Sequence, residues 1–405
     1  MTAIVGVLNK HAVAIAADSA VTLGGGRKVL NSANKIFALS KHHPVAIAIY
    51  GNADLVGTPW EIIIKEFRKK LGEESCPTLR EYSNKFFNFL SDNHYFCSEE
   101  ESLKLVKDNI VGFYSFLIDN GKNDPNEITK NLVNIEKRTD NHFLPPFNED
   151  TTSYIEGHLH KELNALCDNL FQIGIQLDRN RIINILTSVV TKNIPPSSLS
   201  GLVFAGYGEN ELFPALCHYN VGNVVNNTMP LIQDSTVVID KQNLSAICPF
   251  AQTDVMRTIL EGVSPETQKI FRDSLTLTFK QLTSQLSNLI ENNGDINLAH
   301  KIRNLDITPF QRIFTLSSSQ AQTAKYTRPF VQSVVSLEKE DLADFAESLI
   351  RLTSLKRKVS LDQETVGGPV DVMVISKGDG IIWMKRKHYF DAGMNHQFFS
   401  NYFNH

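Results

Sequence analysis

The sequence has little net charge and no C-x-x-C pair. Its 40 basic and 44 acidic residues give a formal net charge of -4, which provides no general attraction to nucleic acid or to an anionic membrane. Its five cysteines are odd in number, which fits free thiols in a reducing cytoplasm better than a disulfide framework. We therefore expect a cytoplasmic protein whose partners include neither nucleic acid nor a membrane.

Long apolar runs are also missing. The apolar stretch at the N-terminus is interrupted at Asn9-Lys10-His11 and ended by Asp18, so it does not have the pattern of a signal peptide. No other segment is long and apolar enough to be predicted as a membrane span. With 405 residues, of which 42% are hydrophobic, the chain can bury one large core or two ordinary ones.

Two patterns that would indicate a bound ligand are incomplete. The run Gly24-Gly25-Gly26-Arg27-Lys28 lacks the G-x-x-x-x-G-K-[ST] spacing of a phosphate loop, and we interpret it as the tip of a hairpin. In the group Glu156, His158, His160 and Glu162, residues two apart do not share a helix face. Only His158 and Glu162 could converge, so we expect neither a metal nor another cofactor.

The most informative residue is Thr2, which directly follows the initiator methionine. Removal of Met1 would leave a hydroxyl and a free α-amine on one residue. An unperturbed α-amine has a pKa of about 7.7 to 8.0, so it can accept the Oγ proton while the hydroxyl attacks a carbonyl. This is nucleophilic catalysis by an N-terminal threonine.

The residues after Thr2 predict a buried hairpin. Residues 3–8 and 12–17 are almost wholly apolar and are separated by a short polar turn, as in two paired, buried strands. Such a hairpin returns Asp18 to the side of Thr2, and a carboxylate at the end of an apolar strand needs a partner. We predict Lys35 as that partner, because it is the next basic residue leading into an apolar run.

Four motifs in this region resemble those of a known family. They are Thr-x-Ile-Val at residues 2–5, Ala-Asp-Ser-x-x-Thr-x-Gly at 17–24, Lys-Ile at 35–36 and Gly-Asn-Ala-Asp at 51–54. In this order they are similar to the motifs of the proteasome β subunits and the bacterial HslV-type threonine peptidase, which are N-terminal nucleophile (Ntn) hydrolases. The resemblance continues in the Gly-Gly hairpin near the C-terminus, and it covers residues 2–71 and 366–385.

The resemblance implies roles for the catalytic residues. Thr2 would be both nucleophile and base, and Asp18 would hold Lys35 close to the Thr2 amine. A nearby ammonium favours the neutral form of that amine. The N–H of Gly51 would bind the oxyanion of the tetrahedral intermediate.

Other implied residues would bind the substrate or support the nucleophile. Ser19, Thr22 and Ala53 would contact the substrate, with the backbone around Thr22 and Ala53 aligning an extended chain by strand addition. The family's Gly-Ser-Gly turn, whose serine supports the nucleophile, resembles Gly206-Tyr207-Gly208 here. The phenol of Tyr207 can also donate and accept, so it is the predicted substitute.

A second departure from the family lies near the C-terminus. The family often has an Asp and a Ser before the Gly-Gly pair, whereas the matching residues here are Gln363 and Val366. Asp362 or Thr365 could take over their roles.

The predicted fold class is α+β, a four-layer αββα Ntn-hydrolase sandwich with Thr2 at its mouth and large helical insertions. Its discontinuous core would comprise residues 1–75 and 197–390, with a helical elaboration at about 252–357. Residues 76–196 would form a helical insertion, with helices at 80–90, 103–118, 154–175 and 182–190, and residues 391–405 would form a tail. These boundaries follow the changes between apolar strand patterns and amphipathic helix patterns.

The predicted function is an N-terminal threonine amide hydrolase, a proteasome-like peptidase acting on a peptide or protein. A small-molecule amidase of the same class remains open, because a fold does not fix a substrate. A catalytically silent scaffold or regulatory protein also remains open, and Tyr207 and Val366 favour it. We expect a monomer or small homo-oligomer in which the inserted helices cover the Thr2 cleft. The sequence does not indicate a regulatory partner.

Overall fold

The computed structural model describes residues 2–23, 28–139, 142–195, 198–360, 366–388, 390–397 and 400, and of residues 22, 23, 28, 29 and 392 it describes the backbone. The strands are β1 (Ala3–Asn9), β2 (Val13–Ala17), β3 (Val21–Leu23), β4 (Lys28–Leu30), β5 (Ile36–Ala38), β6 (Val45–Gly51), β7 (Asp54–Leu55), β8 (Thr58–Pro59), β9 (Ser200–Gly206), β10 (Ala215–Val221), β11 (Leu231–Val238), β12 (Ser245–Ala251), β13 (Asp371–Ser376) and β14 (Gly380–Lys385). The helices are α1 (Trp60–Leu71), α2 (Leu79–Asp92), α3 (Glu99–Asn120), α4 (Pro125–Thr139), α5 (Glu149–His158), α6 (His160–Ile173), α7 (Arg179–Thr191), α8 (Asp254–Glu261), α9 (Pro265–Asn292), α10 (Ile296–Arg303), α11 (Thr308–Gln322), α12 (Arg328–Val334) and α13 (Lys339–Val359). None of the helices in the described part of the chain is long and apolar enough to cross a membrane.

The predicted N-terminal hairpin is confirmed. Strands β1 and β2 pair antiparallel with Ile4 opposite Ala17 and Leu8 opposite Val13, and every residue of both strands is buried. They belong to a five-stranded sheet in the order β12-β1-β2-β13-β14. A strand buried on both faces needs apolar residues at every position, which explains the unbroken apolar runs.

A second five-stranded sheet, in the order β11-β10-β9-β6-β5, faces the first. Alternate residues of a strand point to opposite faces, so Ile4 and Leu8 lie in a core shared with Ala46 and Val203 of the second sheet. Val5 and Val7 point the other way, into a cluster with α13. The α+β class is therefore confirmed.

Helices α1 and α2 pack on the outer face of the second sheet. Their aromatic residues meet the sheet edge-on, with Phe86 at 5.1 Å from Phe67 and 5.6 Å from Phe204 between ring centroids. Although the Thr58-Pro59-x-Glu61 spacing is typical of a capping box, the helix begins at Trp60 and Pro59 is its N-cap. Thr58 lies in β8 and donates instead to the Phe96 carbonyl.

Helices α3 to α7 form a separate apolar cluster. The single helix predicted at 154–175 is two helices, because the chain turns at Leu159. Helix α4 has no counterpart in the sequence-based prediction, and nor does strand β12, whose Cys248-Pro249 centre does not resemble a strand core. Proline can occupy a strand at an outer position, and β12 is the outer strand of its sheet.

Candidate functional site

Asp18, immediately after β2, is the centre of the candidate site. Its Oδ1 accepts from the backbone N–H of Ala3 at 2.9 Å and from Lys35 Nζ at 2.7 Å. Its Oδ2 accepts from the N–H groups of Ala20 and Gly367, each at 3.1 Å. Four donors thus satisfy a carboxylate that is 1% exposed, which is the condition under which a buried charge is tolerated.

Lys35 connects the two sheets at this point. Its carbonyl accepts from Ile49 N–H of β6 at 2.9 Å, while its side chain reaches Asp18 and the Ala20 carbonyl at 2.6 Å. Burial lowers the pKa of the Lys35 ammonium, the positive charge of Lys387 lowers it further, and Asp18 opposes the shift. An ammonium carries three N–H donors, and these two acceptors leave one for another group.

Thr2 is held next to this pair by its neighbours. Its carbonyl accepts from Gln252 N–H at 3.1 Å, and the next residue, Ala3, donates to the same Asp18 oxygen that binds Lys35. Thr2 is therefore fixed between the segment after β12 and the Asp18 carboxylate. Thr2 is 7% exposed. These backbone contacts bring Thr2, Asp18 and Lys35 together at the end of the sheets where β1 begins and β2 ends.

Gly51 ends β6 with a positive φ of 83°. A Cβ at this position would lie 2.2 Å from the Leu199 carbonyl oxygen, so only glycine fits without a shift. Asn52 N–H donates to the carbonyl of Leu199, the residue before β9, and Ile49 N–H donates to the Lys35 carbonyl on the other side. Because N–H groups alternate in direction along a strand, Gly51 N–H points to the Lys35 side, which suits the predicted oxyanion role.

The three predicted substrate-binding residues lie in different environments. Ser19 is fully buried and donates to the Pro369 carbonyl at 2.6 Å, so its side chain is a structural link and does not fit the predicted substrate contact. Thr22 belongs to β3, where its backbone is opposite Val29. Ala53 is exposed, and its carbonyl accepts from Trp60 N–H.

Tyr207 lies at the wrong end of the fold to support Thr2. Its hydroxyl donates to the His11 carbonyl in the turn after β1, whereas Thr2 precedes the start of β1. A strand rises about 3.3 Å per residue, so the seven residues of β1 separate these ends by about 23 Å. The predicted support role of Tyr207 is therefore wrong.

Of the other support positions, the described one, Val366, supplies no polar replacement. Val366 is buried in the apolar cluster with α13, and Asp362, Gln363 and Thr365 lie outside the described residues.

Glu162, from the predicted metal pair, binds Lys107 at 3.0 Å, and His158 lies on a different helix. Within the described ranges no three His, Cys, Asp or Glu side chains converge as metal ligands.

A second, partly buried ion pair, which the sequence did not predict, lies beside the first. Asp371 lies opposite Ala17 in the sheet and is 4% exposed. It accepts from the Lys387 ammonium and, at 2.9 Å, from Lys387 N–H. No spacing rule connects a strand residue to a lysine beyond the following hairpin, so the sequence carried no signal for this pair.

A further polar network starts at Tyr50, the residue before Gly51. Its hydroxyl is 2.7 Å from His218 Nε2, and His218 Nδ1 is 3.0 Å from Asp234 Oδ2. The register of β10 and β11 changes between His218 and Tyr219, so Asp234 is the extra residue of a β-bulge. The Tyr50 ring lies over Gly201, where a Cβ would be 2.0 Å from the ring.

Burial dominates the electrostatics of this network. It lowers the pKa of His218, with Asp234 acting in the opposite direction. Burial also raises the pKa of Tyr50 to about 12, and the charge of Asp234 adds to that shift. The lowered pKa favours the neutral form of His218, and the Tyr50 hydroxyl lies between His218 Nε2 and Asn220 Oδ1, to which its distance is 3.2 Å.

The chain is similar to three solved Anbu structures. It aligns with a helical assembly of the Anbu complex from Pseudomonas aeruginosa at 9% identity, over 99% of this chain and 94% of that chain, with a TM-score of 0.30. An Anbu (Gly-1) mutant from Hyphomicrobium sp. strain MC1 matches at 7% identity over 100% and 95% of the two chains, with a TM-score of 0.31. Anbu from Yersinia bercovieri, described as an ancestral β-subunit, matches at 8% identity over 99% and 96%, also with a TM-score of 0.31.

These findings correct the family assignment made from the motifs. No protein-family model and no curated protein matches the chain, and the structures above are Anbu proteins, a group distinct from the HslV-type peptidase. The assignment to the proteasome β-subunit and HslV-like family is therefore wrong. At this level of similarity the comparisons carry no argument about chemistry, and the function proposed below rests on the geometry of the site.

Proposed function

We propose that the chain is an N-terminal nucleophile amide hydrolase in which Thr2, after removal of Met1, attacks the substrate carbonyl. One observation carries the proposal: a single oxygen of buried Asp18 binds both Lys35 Nζ and the N–H of the residue after Thr2. A buried ion pair is a costly way to hold a strand end. Its position one residue from a potential nucleophile gives it a chemical use.

In the proposed mechanism the neutral α-amine of Thr2 takes the Oγ proton as the Oγ–C bond forms. Burial lowers the Lys35 pKa and Asp18 opposes that shift, and the positive field of a Lys35 ammonium favours the neutral amine. Gly51 N–H donates to the oxyanion that develops on the carbonyl oxygen. The amine then returns the proton to the leaving nitrogen, and water hydrolyses the resulting ester to regenerate Thr2.

We infer a peptide or protein substrate, bound as an extended chain. Gly51 to Ala53 and the β3 backbone would flank such a chain, because β3 pairs only with β4 among the described strands and so has a free edge. We also infer the four-layer αββα arrangement from the three apolar clusters, two beneath helices and one between the sheets. Helices α3 to α7, which form their own apolar cluster, would then be the insertion within residues 76–196, and α2 would belong to the sandwich.

The test combines intact mass with hydrolysis. Mass spectrometry of the purified chain should show the loss of Met1, because a retained methionine blocks the amine. Thr2→Ala should then abolish cleavage of a peptide library and leave the fold unchanged, whereas Thr2→Ser should keep part of the activity. An alanine variant as active as the wild type would refute the proposal.

A catalytically silent scaffold is the second candidate. Two observations favour it: Tyr207 lies far from Thr2, and Val366, before the Gly-Gly pair, is buried among apolar residues and supplies no polar group to the site. A scaffold would retain Met1 without loss of function and would not label with an electrophile that captures N-terminal threonine. Labelling of wild type at Thr2, absent in Thr2→Ala, would exclude it.

A further inference from the structure

A cavity of about 540 Å³ lies on the side of β12 that faces away from the second sheet. Ile247 and Pro249 of β12 form its floor, and its walls come from α8, α9 and α11. Because alternate strand residues face opposite sides, these two side chains are turned away from the inter-sheet core that contains Phe250. Ligand cavities in proteins have volumes of about 300–1,000 Å³, so this cavity can hold a small organic molecule.

Much of the cavity lining is apolar. Besides its floor, the apolar lining comprises Leu260 of α8, Phe271 of α9 and Phe314 of α11. The two phenylalanines are 53% and 37% exposed, although they line a concave surface. An apolar ligand body would remove these rings from water, which is favourable. The lining therefore fits a ligand with an apolar part.

The polar part of the lining is held in a hydrogen-bonded chain. Glu261 Oε1 accepts from Arg257 Nε at 2.8 Å, and its Oε2 accepts from Gln268 Nε2 at 2.9 Å. Both carboxylate oxygens of Glu261 are thus occupied. A guanidinium has donors on all three nitrogens, and no described residue accepts from the two terminal nitrogens of Arg257. Arg257 is therefore oriented by Glu261 and still able to bind a ligand.

Arg272 of α9 adds a second guanidinium to the lining. Among the residues that the structure describes, no carboxylate forms an ion pair with Arg272. The charged side chains of the lining are thus two arginines and one glutamate, an excess of one positive charge. A guanidinium binds a carboxylate through two parallel hydrogen bonds. A monocarboxylate therefore balances the charge of the lining and matches its donors, whereas a phosphate monoester carries about 1.5 to 2 negative charges at pH 7.

An irregular helix closes one side of the cavity. Thr323 and Thr327, both in the lining, are the first and last residues of a short π-helix between α11 and α12. Such helices are rare and occur frequently at functional sites. Thr327 Oγ1 donates to the Leu260 carbonyl at 3.1 Å. Tyr326 packs so closely on Gly262 that a Cβ there would lie 2.9 Å from the ring. This wall is therefore fixed against α8, and small-molecule sites are usually preformed in this way.

We propose that this cavity binds an apolar monocarboxylic acid. The carboxylate lies between Arg257 and Arg272, and the apolar body covers Phe271 and Phe314. The binding does not depend on the proposed hydrolase activity, because the described lining of the cavity contains none of the residues to which we assign catalytic roles.

Isothermal titration calorimetry with decanoate, below its micelle concentration, tests the proposal. Wild type should bind one decanoate per chain, and Arg272→Gln should weaken binding by roughly tenfold to a hundredfold, because a charge-assisted hydrogen bond is lost. Arg272→Lys keeps the charge but not the paired donors, so its affinity should fall between the two. Arg312→Gln is the matched control, because Arg312 is an exposed arginine of α11 outside the lining. Circular dichroism checks that each variant is folded.

Two matched probes test the chemistry of the ligand. Decanol has the same apolar body without a charge, and it should bind roughly tenfold or more weakly than decanoate, since it cannot pair with a guanidinium. Decyl phosphate has the same body with a larger negative charge, and tighter binding of this probe would identify a phosphate ligand and overturn the proposal.

Fluorescence tests the location. Phe314→Trp places an indole in the lining, and decanoate should shift its emission to shorter wavelength as the ring leaves water. Leu316→Trp, on the same helix but outside the lining, should not respond. Absence of decanoate binding, unchanged affinity in Arg272→Gln, equal binding of decanol, or a response of Leu316→Trp without one of Phe314→Trp would each overturn the proposal.

Discussion

Replacing Gly51 with alanine tests the oxyanion role of β6 most directly. The new Cβ would lie 2.2 Å from the Leu199 carbonyl oxygen and 3.1 Å from its carbon, and the residue would keep a φ of 83°. The end of β6 must therefore move away from β9 or change its φ. Either movement displaces the Gly51 N–H that we expect to bind the oxyanion.

Gly57 supplies a matched control for the cost of placing a non-glycine residue at a positive φ. Its φ is 88°, but a Cβ there would meet nothing within 4 Å. A non-glycine residue with left-handed φ costs roughly 1–2 kcal/mol, so Gly57→Ala should lower the free energy of unfolding by about that amount. Gly51→Ala adds the clash, which we take as about 1–3 kcal/mol from the cost of overpacking.

The assay pairs urea unfolding with peptide hydrolysis. Gly51→Ala should be about 2–5 kcal/mol less stable than wild type and should lose activity by about 100-fold, the typical effect of removing an oxyanion donor. Gly57→Ala should retain wild-type activity. Equal losses of stability for the two variants, or full activity in Gly51→Ala, would contradict the reasoning.

Three further predictions concern named side chains. Lys35→Met should abolish hydrolysis and lower the free energy of unfolding by about 3 kcal/mol, because it leaves a buried carboxylate unpaired. The control Lys28→Met should change neither quantity; peptide cleavage and chemical denaturation measure both variants. Folding lowers the pKa of His218, so below about pH 6.5 the unfolded chain binds more protons than the folded chain. The free energy of unfolding should therefore fall as the pH drops from there, and His218→Gln should flatten this dependence. Tyr207→Phe should leave hydrolysis unchanged, since its hydroxyl bonds the His11 carbonyl at 3.4 Å and the backbone of Lys377, both away from Thr2, and a tenfold loss would contradict that location.

The sequence was sufficient where local pattern and burial agree. The hairpin of β1 and β2 could be predicted because both strands are apolar on both faces, and this register brings Ala17 opposite Ile4 and hence Asp18 beside Thr2. Lys35 followed from the need to pair a buried carboxylate. The site-forming residues near the N-terminus thus depend on short-range rules.

Contacts between distant segments could not be predicted. Gly367 donates to Asp18 from 349 residues away, and Gln252 reaches Thr2 only because β12 pairs with β1. The error over Tyr207 has the same origin: a Gly-x-Gly turn after a strand was matched by order along the chain. The place of Tyr207 in the sheet is fixed because the preceding residue, Gly206, pairs with Val45. Val45 and Gly51 are the two ends of β6, so Tyr207 lies far from Gly51.

The difference between a hydrolase and a silent scaffold comes down to what Lys35 contributes beyond structure. Three backbone N–H groups need acceptors at Asp18, so a carboxylate there has a structural reason even without catalysis. The Lys35 ammonium instead neutralises the Asp18 carboxylate, and it must be desolvated to do so. Apolar residues in place of both members of a buried ion pair are often at least as stable, so the pair as a whole is a costly way to fold this strand end. A buried lysine held by Asp18, beside a threonine that can be made N-terminal, is therefore better explained by chemistry at Thr2 than by folding.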